Sequence, residues 1–225
     1  MHKMKKNLTI LIAAGALLLA GAPAFAQMHV GAGYLNSTDF YKLSENADAT
    51  TTAYNGFYAG FGYTVPVAGG LRFTPGIYYS FRTANDASNV GELAGFKGST
   101  TEHNVNVPIT LSYGFSPNDN VRFFVYGGPT ASIGIASTTK LSASILGYKA
   151  EESVNNYDDN GYGRFNVFLG AGIGAEIGEC FRITCGYDWG MLNRYTGNTS
   201  GISQRTNQLT AGISYLFGII DKNGW

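Results

Sequence analysis

Leu71-Arg72-Phe73-Thr74-Pro75-Gly76-Ile77-Tyr78-Tyr79-Ser80-Phe81-Arg82 decides the fold. Its odd positions are bulky and apolar, whereas its even positions are mostly small, polar or charged. A period of two is that of a strand with one face for each class. Six of the chain's seven arginines (Arg72, Arg82, Arg122, Arg164, Arg182 and Arg194) sit out of phase with such an apolar alternation. An apolar face turned outward and a polar, arginine-bearing face turned inward suit a closed barrel whose outer solvent is lipid.

The rest of the chain agrees with that reading. Charged residues are only 13%, while Gly 31, Tyr 15 and Phe 14 are high counts. This mix is closer to a strand-rich membrane barrel than to a soluble enzyme. No stretch after the N-terminal leader has 18 consecutive apolar residues, so no transmembrane helix is predicted. At the N-terminus, Lys3, Lys5 and Lys6 precede the apolar run Leu8 to Leu19, and Ala24-Phe25-Ala26 offers a small-x-small cleavage site. Residues 1–26 are expected to be a secretory signal, and residues 27–225 the barrel domain. Loss of the three lysines leaves 12 basic residues against 15 acidic ones, a net charge of −3 with no basic excess for nucleic acid. Cys180 and Cys185 have opposite parity on one predicted strand. Their α-carbons would lie about 16 Å apart, beyond disulfide reach, so both are expected to be free thiols.

Eight strands are predicted, at 28–36, 54–65, 70–83, 102–115, 120–137, 162–178, 180–195 and 204–217. Short turns, Pro66-Val67-Ala68-Gly69, Ser116-Pro117-Asn118-Asp119 and Gly178-Glu179, alternate with long polar loops at 37–53, 84–101, 138–161 and 196–203. An even-stranded antiparallel up-and-down barrel with short periplasmic turns and long outer loops has this asymmetry. The loops carry acids, among them Asp39, Glu45, Asp48, Asp86, Glu151 and Asp158. Pro75, Pro108 and Pro129 fall inside strands of a sheet without edges, so bulges or slips are expected there.

The inward face holds Gly56, Tyr58, Gly60, Tyr78, Tyr126, Gly170, Gly172, Gly174 and Gly212, with Glu176 and Asp188 as its acids and Glu102 as a third candidate. An eight-stranded barrel encloses just enough room for side chains to fill. The strands entering from short turns begin Leu71-Arg72-Phe73, Val121-Arg122-Phe123 and Phe181-Arg182-Ile183, each with an inward arginine near the periplasmic mouth. His29 takes the matching place on the first strand. Aromatics cluster at strand ends, with Phe73, Tyr113, Phe115, Phe123, Tyr215 and Phe217 at one rim and Phe81, Phe165, Tyr187 and Trp189 at the other, as interfacial girdles do.

With these features in place, the chain resembles the small bacterial outer-membrane β-barrel family with OmpX/OmpA-type membrane domains, over nearly all of residues 28–217. The most specific element is Thr210-Ala211-Gly212-Ile213-Ser214-Tyr215-Leu216-Phe217, in which Thr210, Gly212, Tyr215 and Phe217 match the family's insertion signal. The resemblance implies recognition of this strand by the barrel-assembly machinery. It departs from the family's pattern in the eight residues 218–225 that follow.

Two readings of the inward charges stand side by side. In one, Arg72, Arg82, Arg122, Arg164, Glu176, Arg182, Asp188 and Arg194 form a polar network that plugs the lumen, because buried charges need partners. In the other, Arg72, Arg122 and Arg182 form an anion site at the periplasmic mouth. A lipid-modifying enzyme would need a nucleophile beside a base, but Val105 rather than serine stands two residues from His103 on the lipid-facing side. Asn156-Tyr157-Asp158-Asp159-Asn160-Gly161 resembles half a calcium loop, yet Val167 occupies the place of its bidentate glutamate, and an Asx-rich surface loop is the expectation. Gly170-Ala171-Gly172-Ile173-Gly174 has strand alternation rather than dinucleotide-loop spacing. No catalytic, cofactor-binding or metal-binding residue is assigned, and no cofactor is expected.

The expectation is a monomeric barrel in the bacterial outer membrane with a filled lumen. Its partners are membrane lipids and, during insertion, the assembly machinery; nucleic acid is not among them. Its role would be architectural or one of surface contact through four outer loops, whose ligand the sequence leaves unspecified. The alternatives are a small pore, an outer-membrane lipid-modifying enzyme and a soluble lipocalin-like barrel with its apolar face inward.

Overall fold

The computed structural model describes residues 26–44, 48–90, 94–145, 148–157, 161–178, 180–197 and 201–218. The expected signal segment before residue 26, Asp158, Asp159, Asn160 and Glu179, and the tail after Gly218 lie outside the described residues.

Among the described residues nine strands follow in order: β1 (Gln27–Lys42), β2 (Thr50–Ala68), β3 (Leu71–Val90), β4 (Ala94–Asn118), β5 (Val121–Ile145), β6 (Tyr148–Asn155), β7 (Phe165–Ile177), β8 (Phe181–Gly190) and β9 (Ser203–Phe217). Eight of them close a ring. Each of β1 to β5 pairs antiparallel with the next, β5 then pairs with β7, and β8 and β9 lead back to β1. The closing ladder between β1 and β9 runs from Met28↔Phe217 to Lys42↔Ser203. The result is an all-β, eight-stranded antiparallel up-and-down barrel. The ninth strand, β6, pairs only with the outer part of β5, Thr138 to Ile145.

Three of the four segments expected as long loops, 37–53, 84–101 and 138–161, are thus largely strand. The ladder between β3 and β4 continues to Val90↔Ala94, and β5–β6 forms a second projecting hairpin. β4 and β5 have 25 residues each, whereas about 9–11 residues cross a hydrocarbon layer. These stretches are rich in polar Ser, Thr and Lys, which suit a loop. Yet β pairing needs only an adjacent ladder, and outside the membrane both faces of a hairpin can be wetted. At the opposite end the turns are tight. Gly69 and Gly70 have φ of 52° and 87°, a left-handed pair that a two-residue hairpin demands.

The expected bulges at the prolines are corrected. Bridges are missing beside Pro75, Pro108 and Pro129, but the register is the same on either side of each gap, as in Pro75↔Ile109 and Tyr78↔Asn106. Each proline removes one donor from the ladder without adding a residue, so pairing weakens locally and parity survives. The register shifts lie elsewhere, at Pro66/Ala68, His103/Asn104 and Phe115/Asn118. At the second of these, His103 faces Ala136 and Asn104 faces Gly134, leaving Ile135 unpaired. This extra residue reverses the parity of β5, so Ser137 joins Gly134 on the buried side.

The barrel is inside-out relative to a soluble one. Phe57, Leu111, Ile173 and Ile213 are 50%, 51%, 63% and 53% exposed, while Glu102, Asp39, Arg82 and Thr64 are buried. This excludes the lipocalin-like arrangement. The rims carry the aromatic pairs Phe115–Phe123, Phe181–Tyr215 and Tyr215–Phe217 at the short-turn end, and Phe57–Phe81 and Tyr187–Trp189 toward the other. Cys180 and Cys185 are free.

Candidate functional site: two charged layers in the lumen

The inward parity of six strands delivers ionisable side chains to two levels of the lumen. At the outer level, Arg82 of β3 sits between Asp39 of β1 and Glu102 of β4. Its Nη1 and Nη2 donate to the two Asp39 oxygens at 2.7 and 3.1 Å, and its Nε donates to Glu102 Oε2 at 2.6 Å. Ser37 Oγ and the Tyr162 hydroxyl accept the remaining donors at 2.9 Å each. All five guanidinium N–H groups are therefore used. Arg194 Nη2 donates to Glu102 Oε1 at 2.6 Å, and the Tyr157 hydroxyl donates to the same oxygen at 2.7 Å. Thr206 Oγ1 donates to Asp39 at 2.7 Å. Two arginines and two carboxylates balance in charge, and all four side chains are buried.

Tyr157 and Tyr162 close this layer from above. Their rings stack at 5.6 Å, and the Arg194 guanidinium lies 4.0 Å over Tyr162. Burial, reinforced by the Glu102 charge, pushes both phenols above their ordinary pKa. Burial opposes the charge of Arg194, but Glu102 more than offsets this and raises its pKa. Above lies an open cup of about 350 Å³.

At the inner level, three arginines converge on Glu176 of β7. Arg182 donates to Oε1 through Nε and Nη2 at 3.0 and 2.8 Å, Arg72 Nη1 donates to Oε2 at 2.7 Å, and Arg122 Nη1 lies 3.6 Å from Oε2. Arg182 also donates to Thr64 Oγ1, and Arg122 Nη2 to the Gly70 carbonyl in the β2–β3 turn. The three arginines are those of the repeated Leu-Arg-Phe, Val-Arg-Phe and Phe-Arg-Ile strand starts. Between the layers lies a cavity of about 170 Å³ bordered by His29, Tyr58, Tyr78, Tyr126, Asp188 and Gln208. Asp188 accepts from Gln208 at 2.9 Å, and His29 Nε2 pairs with the Tyr78 hydroxyl at 2.9 Å. The Tyr126 ring reaches across to Gly172 and Gly186, where any side chain would collide with it.

The structure therefore splits the predicted network. Arg82 and Arg194 belong to the outer layer, Arg72, Arg122, Arg182 and Glu176 to the inner, and Asp188 stands alone between them. Arg164 is corrected: it lies on the rim, not in either layer. Its Nη1 donates to the Ile135 carbonyl at 3.1 Å, so it clamps the bulge, and its guanidinium covers the Tyr157 ring at 4.4 Å. Arg164 precedes β7 and follows Gly163, so strand parity does not reach it. Glu176 sits among the three inner arginines and pairs with each of them.

Asp39, expected as a loop acid, is the acid that sequence reading missed. A usable signal existed, since the buried parity His29, Leu35, Ser37 continues to Asp39. No local signal marked Tyr157 and Tyr162. Asn156, first residue of the calcium-like run, donates to Ser137 Oγ and accepts from Thr139, a turn-forming role. Among the described residues no cluster of His, Cys, Asp or Glu could hold a metal. His103 lies on the outer surface, hydrogen-bonded to the Tyr79 hydroxyl at 2.6 Å and edge-on to Phe81. His29 is inside the lumen, so the two histidines cannot act together.

Solved structures of similar topology include Ail, the attachment invasion locus protein of Yersinia pestis, in complex with a heparin analogue. It is 16% identical, with a TM-score of 0.41, over 85% of this chain and 99% of that one. Neisserial surface protein A matches at 14% identity and a TM-score of 0.37 over 85% and 97% of the two chains. The outer membrane enzyme PagL matches at 12% and 0.39 over 84% and 99%. Likeness at this level says nothing of activity. No curated protein shows significant sequence similarity to the chain. The family model for the outer membrane protein beta-barrel domain matches residues 25–195, well over half of the chain. With its closed ring, lipid-suited exterior and polar interior, the chain belongs to the family of bacterial outer-membrane β-barrel domains.

Proposed function

We propose that this protein is a sealed outer-membrane scaffold whose work is done by its outward extensions, either in membrane architecture or in surface contact. The observation that carries this reading is the outer charged layer. Arg82, with every donor engaged, crosses the lumen between β1 and β4 at a level where an open pore would need water. The β3–β4 and β5–β6 hairpins rise beyond that seal, and binding groups are commonly displayed on such projections from a rigid base. In this reading the chain is exported with cleavage after Ala26, inserted through its Thr210–Phe217 signal, and works as a monomer among lipids.

Shortening the β5–β6 hairpin between Leu141 and Glu152 tests the proposal. The barrel should still assemble, while adhesion of expressing cells to protein- or glycan-coated surfaces falls severalfold, or the outer membrane becomes more permeable to detergent. Unchanged adhesion and unchanged permeability would remove both roles.

The cavity of about 170 Å³ between the layers favours a second reading, a small pore with two constrictions. Steady single-channel conductance of the unaltered protein in planar bilayers would establish it. Silence, together with brief openings in the Arg82→Ala variant, would favour the sealed scaffold.

A further inference from the structure

The two charged layers both set arginine against carboxylate, but they differ in balance. The outer layer sets two arginines against two carboxylates. The inner layer, among the described residues, sets Arg72, Arg122 and Arg182 against Glu176 alone. Two positive charges are left over in a space where charge is costly to leave unpaired. The outer Arg82 has a partner for each N–H, whereas Arg122, only 6% exposed, has a buried Nη1 with no hydrogen-bond partner. Its other Nη is spent on the Gly70 carbonyl. Both Arg122 and Arg182 lie beside the Phe124 ring, at 5.3 and 5.9 Å, which limits their freedom to swing away. Arg72, with 18% of its side chain exposed, gives the cluster an opening at the mouth where the short turns lie.

From this we infer that the short-turn mouth of the barrel is a binding site for a phosphate-type oxyanion, held by Arg72, Arg122 and Arg182 beside Glu176. Guanidinium forks suit tetrahedral oxyanions, and a group with one or two negative charges offsets half or all of the excess without protonating Glu176. Two sources supply that chemistry at a membrane surface, a free phosphate and the phosphate of an anionic lipid headgroup. The site is independent of the outer hairpins, so the proposed surface role and this inference stand or fall separately.

The test uses the protein extracted from outer membranes into a maltoside detergent, which carries no phosphate. Inorganic phosphate is titrated while the Nε–Hε signals of the arginines are followed by NMR, and a parallel titration uses phosphatidylglycerol. Saturable shifts of the Arg122 and Arg182 signals are expected. In Arg122→Gln the midpoint should rise roughly tenfold, the scale of one charge-assisted hydrogen bond, with partial recovery in Arg122→Lys and no change in the control Arg205→Gln. Arg72→Gln serves as the second variant if Arg122→Gln does not give the compact unboiled gel band. Shifts caused by inorganic phosphate but not by the lipid identify a free oxyanion. Shifts caused by the lipid that inorganic phosphate cannot add to identify a headgroup. No saturable shift with either probe, or an unchanged midpoint in both variants, overturns the inference.

Discussion

Arg82 and Glu102 are the residues on which the lumen closes. Each sits among groups that were all desolvated together, so neither can be removed singly without stranding the others. Replacing Arg82 with alanine leaves Asp39 and Glu102 buried without their main cation, a loss of about 3–5 kcal/mol. The expected outcome is a lower urea midpoint and earlier loss of the unboiled gel band, with Arg205→Ala, on the exposed outer part of β9, unchanged. Equal stability of the two variants would mean that water already fills this layer. Gly186 makes a second residue-scale prediction. A valine there would meet the Tyr126 ring and cost about 1–3 kcal/mol by overpacking. Tyr126→Ala in the same chain should restore the loss, and failure to do so would mean the valine acts through the backbone instead.

At the scale of elements, the decisive feature is the bulge at Ile135 in β5. It changes which side chains face inward just where the strand leaves the membrane zone, and it lets Ser137 and Thr139 meet Asn156. Arg164 holds the bulged carbonyls. Its replacement by alanine should cost about 1 kcal/mol locally. The predicted readout is faster amide exchange across the β5–β6 hairpin with unaltered exchange in β8 and β9. Uniform acceleration around the ring would show instead that the bulge is coupled to the whole barrel. The closing ladder of β1 and β9 makes the opposite point. It has no interruption, and Tyr215 and Phe217 pair at its end with a ring separation of 4.9 Å, so the proposed insertion signal is also the seam.

For the whole molecule, closure removes every sheet edge from the ring, and unfolding in lipid must therefore expose backbone groups with nothing to bond. Heat-modifiable mobility follows. Unboiled protein from separated outer membranes should run faster in SDS than boiled protein. A single unshifted band would contradict the closed ring, and recovery from the soluble periplasmic fraction would contradict the membrane placement.

Much of this was legible along the chain because lipid and lumen impose a strict alternation. The outward run Phe57, Ala59, Phe61, Tyr63 and the inward run Arg72, Thr74, Gly76, Tyr78 have the phase that the barrel shows, and they identify the class of protein without any contact information. Parity even survived Pro75, Pro108 and Pro129, since a missing donor does not insert a residue. Sequence alone did not reveal the extent of the strands beyond the membrane, where polar side chains suit loop and hairpin equally. Nor did it show the bulge at Ile135, which depends on the register of two strands brought side by side. The partners of the charges were decided only in three dimensions: parity says that Arg82 and Arg122 both point inward, but not that one meets two carboxylates and the other a third of one. That difference comes from strand stagger around the ring, because hydrogen-bond register across the whole sheet sets the height of each side chain in the lumen.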